Sequence, residues 1–128
     1  MRGQDKLLFL FTLAFLILAL PSFAASISYS QPGADPGTVM KGISFTVTVS
    51  GLSGSGIVTL NLPSGFSADE SLSKSFSTGT TSVSWTTVKA EQKLSAQKIG
   101  ATITTQSTSE TVYTDVFDVV LPPSLEAT

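Results

Sequence analysis

Carboxylates are the main side chains that could do chemistry in this chain, because its 128 residues contain no histidine and no cysteine. Those absences exclude a Ser-His-Asp triad, a Cys-His pair, a histidine-ligated zinc and a thiolate metal site. Asp69 with Glu70, and Asp115 with Asp118, could bind calcium, but neither pair has the dense spacing of an EF-hand loop. A glycosidase would need two carboxylates about 5 to 10 Å apart in a cleft, which no pattern here indicates. We expect solvated charges, no metal or other cofactor, and no enzymatic activity.

The single tryptophan is the other candidate for ligand binding. An exposed Trp85 could stack on a sugar ring, but it shares a strand face with Val83. Sandwich folds commonly bury a tryptophan in the core, so we expect Trp85 to lie there. Tyr29 and Phe66 are isolated in the sequence, and no aromatic platform is apparent.

The N-terminal segment has the layout of a secretory signal. Arg2 and Lys6 precede an apolar run that begins at Leu7, and small residues follow it up to Ala25. We predict that residues 1–24 are a signal peptide cleaved after Ala24. Residues 25–128 then form one domain that is extracellular or at the cell surface.

Two alternatives keep the apolar segment. In the first, Leu7 to Ala25 is a membrane anchor and the protein is single-pass with an external domain. A spanning helix needs about 20 apolar residues, whereas this run has fourteen before Pro21 would break or kink it. In the second, a pilin-type signal is cut after Gly3, but the run is short for a filament stalk. The short apolar run and the proline at its end favour cleavage over either alternative.

The composition of the mature part limits its partners. Five lysines stand against eight acidic residues, no arginine remains, and about a third of the residues are serine or threonine. Nucleic acid is therefore not expected as a partner, because no basic face is available to neutralise phosphates. Asn61 is followed by Leu62 and Pro63, so the chain has no N-glycosylation acceptor.

Alternating apolar and hydroxyl residues predict an all-β fold. The clearest strand runs from Ile43 to Ser50, and Gly51 to Gly56 is predicted to be a hairpin connection. Val88 is out of step with Val83 and Trp85, which predicts a bulge near Thr86 and Thr87. About seven strands in roughly 100 residues are typical of an immunoglobulin-like β-sandwich. The predicted core includes Phe45, Val47, Leu60, Trp85 and Ile103.

The ends of the domain are the candidate assembly strands. The last strand is predicted over Thr111 to Leu121 and is apolar on both faces near its end, whereas Ala90 to Gln97 is predicted to be a loop or single turn. A central strand buried on both faces is one interpretation of the last strand. The other is that a terminal strand adds to a neighbouring subunit and builds a filament. The candidate residues are Ile27, Tyr29, Val116, Phe117, Val119, Val120 and Leu121.

The stretch from Val58 to Trp85 resembles immunoglobulin-like accessory domains of archaeal and bacterial surface proteins and secreted glycosidases. The resemblance rests on Leu60 to Phe66, which reads Leu-Asn-Leu-Pro-Ser-Gly-Phe, and on the later Val-Ser-Trp of Val83 to Trp85. It implies a non-catalytic role in spacing, adhesion or assembly. We therefore expect a structural or adhesive surface subunit whose partner is itself or another surface protein. The alternatives are a membrane-anchored accessory subunit of a larger complex and a sugar-binding module.

Overall fold

The computed structural model describes residues 25–123. The predicted signal or anchor helix within residues 1–24 therefore lies outside the described residues. The prediction of an all-β fold is confirmed, with several sheets in a sandwich-like arrangement. The strands are β1 (Ser26–Ser30), β2 (Thr38–Met40), β3 (Phe45–Ser50), β4 (Gly56–Asn61), β5 (Phe66–Ser67), β6 (Ser73–Phe76), β7 (Ser82–Ala90), β8 (Leu94–Gln97), β9 (Gly100–Thr104), β10 (Ser109–Tyr113) and β11 (Phe117–Val120).

These strands form three hydrogen-bonded sheets. The first has the order β1-β3-β7-β5, the second β10-β9-β4-β6, and the third β2-β11-β8. All pairs are antiparallel except β2 with β11, which is parallel. The expected count of about seven is too low, because β2, β5 and β8 are short additional strands and the predicted last strand is divided in two.

The inward faces of the sheets make one apolar core. On β3 every second side chain is buried, as the period of two requires for a strand with one face on the core. The five side chains predicted for the core are all at most 2% exposed: Phe45, Val47, Leu60, Trp85 and Ile103. Full burial of such a side chain stabilises the fold by about 1.5–3 kcal/mol, and in a chain without cysteine this packing takes the place of disulfides.

The predicted bulge in β7 is confirmed. Val47 of β3 pairs with Trp85, but Phe45, two residues earlier, pairs with Val88, three residues later. The extra residue in β7 falls at Thr86 and Thr87. It allows both Trp85 and Val88 to point into the core although their spacing is odd.

Three local predictions are wrong. Gly51 to Gly56 is not a hairpin, because β3 and β4 belong to different sheets and the loop carries the chain from one to the other. The segment Ala90 to Gln97 is not simply a loop, since it contains β8. Thr111 to Leu121 is not one strand, since β10 and β11 lie in different sheets.

Thr114 explains the break between β10 and β11. It is buried, its N–H donates to the carbonyl of Ile99 at 2.9 Å, and its hydroxyl accepts the N–H of Ile99 at 3.1 Å. These two bonds fix the chain where it leaves the second sheet for the third. A buried hydroxyl held in this way replaces the ladder partner that the strand loses.

Candidate functional site

Trp85 is a core residue and not a sugar platform. Its side chain is fully buried, and its indole N–H donates to the carbonyl of Ser71 at 2.9 Å. The Nζ atom of Lys74 lies 5.4 Å from the centroid of its ring. Since a saccharide must reach an exposed ring face to stack on it, the suggestion that Trp85 binds sugar is wrong.

The two acidic pairs considered as calcium sites, Asp69 with Glu70 and Asp115 with Asp118, do not form a metal site among the described residues. Asp118 Oδ1 accepts the N–H of Ala96 at 2.9 Å, in β8. Asp115 lies close enough to Tyr29 to raise the pKa of its phenol, although burial is the larger cause of that rise. Among residues 25–123, no three acidic side chains come together as a group that could hold a metal ion.

Among the described residues, the Glu70 side chain makes the largest number of hydrogen bonds. Its carboxylate accepts a hydrogen bond from Lys74 Nζ at 2.5 Å, from the N–H groups of Thr86 and Thr87 at 2.9 Å each, and from the Thr87 hydroxyl at 2.6 Å. The bonds from Lys74 and Thr87 lower its pKa from 4.5 to about 2. Lys74 also donates to the carbonyl of Ser84 at 2.8 Å. Glu70 and Lys74 thereby bond backbone groups of Ser84, Thr86 and Thr87, on the part of β7 that β5 does not pair. We call this the Glu70 clamp.

Strand β11, which contains three of the seven candidate assembly residues, has both edges occupied within the subunit. It lies between β2 and β8, and Phe117 and Val119 are 1% exposed. The Phe117 ring packs against three other aromatic rings, those of Tyr29, Phe45 and Phe66. Donating this strand to a neighbour would open the third sheet and empty the core beside it.

The other candidate residues near this strand have mixed positions. Val120 is half-buried, whereas Val116 is 51% exposed and Leu121 is 36% exposed. Val116 precedes β11 and Leu121 follows it, so neither belongs to a continuous apolar face. Only the inward side of β11 is strongly apolar.

Strand β1 is different, because it pairs on one side only. All five of its residues pair with β3 in an unbroken register, and it forms the end of the first sheet. Ile27 is buried and Tyr29 is half-buried, with its ring 4.7 Å from that of Phe117. Its three serines are exposed on the outer face. Within the described chain, no strand pairs with the outward edge of β1.

The remaining sheet edges carry features that hinder strand addition. On β2, the Gln31 amide bonds both the N–H of Met40 at 2.5 Å and its carbonyl at 3.3 Å. On β8, Ala96 has a φ of 55° and the register with β11 shifts. Strand β6 carries Lys74, β10 carries Glu110 on its inward side, and β5 has only two residues. Charges, irregularities and short length are the usual protection of edges. Strand β1 has none of them.

The outer face of the first sheet is a continuous surface of hydroxyl groups. Ser28, Thr48 and Ser84 are neighbours in adjacent strands, and Thr48 Oγ1 lies 3.0 Å from Ser84 Oγ. The outward hydroxyl residues in these paired rows of β1, β3 and β7 are Ser26, Ser28, Ser30, Thr46, Thr48, Ser50, Ser82 and Ser84. No ionised side chain interrupts these rows, so β1 stands at the end of an uncharged surface.

Comparison with known proteins returns no match, whether against protein-family models, curated proteins or solved structures. A search of residues 25–123 for an apolar helix of bilayer-spanning length also finds none. The candidate site therefore rests on its own geometry. It is the edge of β1, with its serines outward and Ile27 and Tyr29 inward.

Sequence reasoning placed β1 among the candidates but missed what distinguishes it from β11. The missing facts are long-range: β11 pairs with β2 on one side and β8 on the other, whereas β1 pairs only with β3. One signal was available, because Ser26 to Ser30 contains no charged residue or proline. That composition is unusual for an edge strand, but it becomes informative only once the strand is known to be an edge.

Proposed function

We propose that this protein is a non-enzymatic structural or adhesive subunit of the cell surface, and that it associates with protein partners through the edge of β1. The observation that carries the proposal is the contrast between β1, which is regular and uncharged, and the other edges, which are blocked. An exposed strand edge offers a row of backbone donors and acceptors to an added strand. Strand addition at this edge could extend into a filament if a second contact exists.

A role without catalysis is part of the proposal. A depression of about 290 Å³ lies between the loops at residues 53–55 and 105–108, and its lining consists of serine, threonine, glycine and glutamine. Catalytic pockets usually contain titratable groups with shifted pKa values. Among residues 25–123, the one carboxylate whose pKa is strongly lowered, Glu70, is used to hold the bulge of β7.

We further propose that the domain is of the immunoglobulin-like kind. The all-β sandwich-like arrangement and the Leu-Asn-Leu-Pro-Ser-Gly-Phe stretch from Leu60 to Phe66 support this assignment. In the structure, this stretch ends β4 and turns at Gly65 into β5. Accessory domains of this kind space or join other parts of surface assemblies.

Export is part of the proposal. Cleavage after Ala24 would leave a single residue, Ala25, before β1 begins at Ser26. The open edge would then lie at the mature N-terminus, where little chain could cover it. N-terminal sequencing of the native protein tests this step: a start at Ala25 supports release, and a start near Met1 supports a retained anchor.

A charge placed on β1 tests the association. Ser28→Lys puts an ammonium group at the centre of the edge, where edge lysines oppose pairing. Ser82→Lys is the matched control, because Ser82 is exposed on the same hydroxyl face but lies in β7, two strands away from the edge of β1. Both are surface changes and should alter the free energy of unfolding by less than about 0.5 kcal/mol.

The assay is native fractionation of protein from the producing cells by mass. We expect wild type and Ser82→Lys as dimers or larger assemblies and Ser28→Lys as monomer. Wild-type protein that is entirely monomeric in native extracts, or Ser28→Lys that assembles like wild type, would overturn the proposal.

A further inference from the structure

The sequence of β1 is symmetric in its pattern about Ser28. It reads Ser-Ile-Ser-Tyr-Ser, so hydroxyl residues alternate with apolar ones in both directions from the centre. When two antiparallel strands pair, residues directly opposite each other lie on the same face of the sheet. A β1 strand can therefore pair with a second β1 strand without bringing a serine opposite an apolar side chain.

We propose that the partner of this edge is a second copy of the chain, paired β1 to β1 about a two-fold axis through Ser28. This inference rests on the proposed function and names its partner. In that register Ser28 lies opposite Ser28 of the second copy, Ile27 opposite Tyr29, and Ser26 opposite Ser30. The two four-stranded first sheets then join into one sheet of eight strands. Such an interface is isologous, because the same patch is used by both subunits.

Other registers are less favourable. A slip of one residue would place Ile27 opposite a serine and turn that serine towards the core side, since the side-chain period of a strand is two. A slip of two residues keeps the faces matched but pairs only three of the five positions. Only the register centred on Ser28 pairs all five residues of β1 and also keeps serines opposite serines and apolar residues opposite apolar residues.

The chemistry of the edge suits a copy of itself. Two identical charges would repel each other across a two-fold axis, and β1 has no charge. Each Ile27 would meet an aromatic ring, and pairs of β-branched and aromatic residues are among the favourable cross-strand pairs. Tyr29 is only half-buried in one subunit, so an added strand can cover the remaining part of its side chain.

The adjoining strand offers further apolar contact. Strand β10 lies beside β1 at the rim of the sandwich, and its inward-facing Val112 packs on the core but is only partly buried. Ile27 and Tyr29 of an added strand would point towards the second sheet, which contains Val112. The outer side of the joined sheet would consist of serine and threonine from both copies.

The absence of cysteine makes a direct test possible, because any disulfide must come from an introduced residue. Opposite residues in antiparallel strands have Cα atoms about 4.5–5.5 Å apart, within the range that a disulfide bridges. Ser28→Cys should therefore form a disulfide-linked dimer on mild oxidation of the purified mature protein. Ser26→Cys and Ser30→Cys should each fail alone and should link to each other when mixed.

Ser82→Cys is the matched control. In the proposed dimer its two copies are separated by five strand spacings, about 24 Å, so it should give only collisional crosslinking. Trp85 fluorescence verifies that each variant is folded. Equal dimer yields for Ser28→Cys and Ser82→Cys, or a Ser26→Cys homodimer formed as readily as that of Ser28→Cys, would overturn the proposed register. If native assembly still depends on Ser28 while these crosslinks fail, the proposed function stands and the second copy is excluded as the partner at this edge.

Discussion

Replacement of Glu70 by glutamine should destabilise the fold in a pH-dependent way. The carboxylate accepts four hydrogen bonds, three of them from Thr86 and Thr87 at the bulge of β7. Glutamine keeps one acceptor oxygen, loses the charge that Lys74 pairs with, and brings an NH₂ group towards donors. The clamp should therefore weaken while the size of the side chain is preserved.

The magnitude follows from the pKa of Glu70. Lowering it from 4.5 to about 2 would correspond to about 3 kcal/mol if the site were fully shielded from water. The side chain is 21% exposed and its partner Lys74 is 31% exposed, so solvent screening reduces this figure. We expect Glu70→Gln to cost about 1–2 kcal/mol at neutral pH.

The sign of the pH dependence is fixed by the same pKa. Because the pKa of Glu70 is lower in the folded than in the unfolded state, the contribution of the carboxylate is complete above about pH 5 and declines as the pH falls from 4.5 towards 2. The difference in unfolding free energy between wild type and Glu70→Gln should therefore shrink across that range.

Urea unfolding followed by the fluorescence of Trp85 measures this difference at each pH. Trp85 is the only tryptophan and is buried beside the clamp, so it reports on the relevant region. Asp69→Asn is the matched control, since it removes the neighbouring carboxylate and leaves the clamp in place. A Glu70→Gln difference that stays constant from pH 7 to pH 2, or that equals the Asp69→Asn difference, would refute the role assigned to Glu70.

Two glycine changes and one change at Gln31 test other parts of the fold. Gly56→Ala should cost more than about 3 kcal/mol or prevent folding, because the added Cβ would lie 2.1 Å from the carbonyl oxygen of Thr104. Gly54→Ala is its control: that site is open, its φ is +73°, and the expected cost is about 1–2 kcal/mol. Gln31→Ala removes two bonds to Met40 and one to Ile43, and should cost about 2–3 kcal/mol. Thermal unfolding ranks the three variants, and hydrogen exchange should show faster exchange of the Met40 amide in Gln31→Ala. Similar costs for the two glycine changes, or an unchanged Met40 amide, would contradict these expectations.

Strand positions and the core were readable from the sequence because they depend on local alternation. Phe45 and Val47 are two positions apart and both face the core, as the pattern predicted. The bulge was readable for the same reason, since Val88 breaks the alternation set by Val83 and Trp85. In these places the local signal and the tertiary structure agree.

The assignment of strands to sheets could not be read in the same way. Gly51 to Gly56 indicates a change of direction, but glycine and serine do not specify whether the next strand pairs with the last one or crosses to another sheet. The division of the last predicted strand depends on Thr114, whose two bonds to Ile99 join residues that are 15 apart. Only the folded arrangement brings these groups together.

The candidate site was readable in part. Alternation in Ser26 to Ser30 predicted a first strand, and the last strand was predicted over Thr111 to Leu121, apolar on both faces near its end. Their different roles follow from neighbours distant in sequence, because β11 acquires β2 and β8 on its two sides and β1 acquires only β3. The protection of the other edges by Gln31 and Ala96 is likewise a property of the fold.

Amide hydrogen exchange of the mature protein, measured by NMR over a wide range of concentrations, tests the central claim most directly. If the edge of β1 is the association surface, the amides of Ser26 to Ser30 that point away from β3 should become protected as concentration rises. Amides on the edges of β6 and β10 should not change. Exchange at β1 that is independent of concentration, or protection that develops at β6 or β10 instead, would contradict the account.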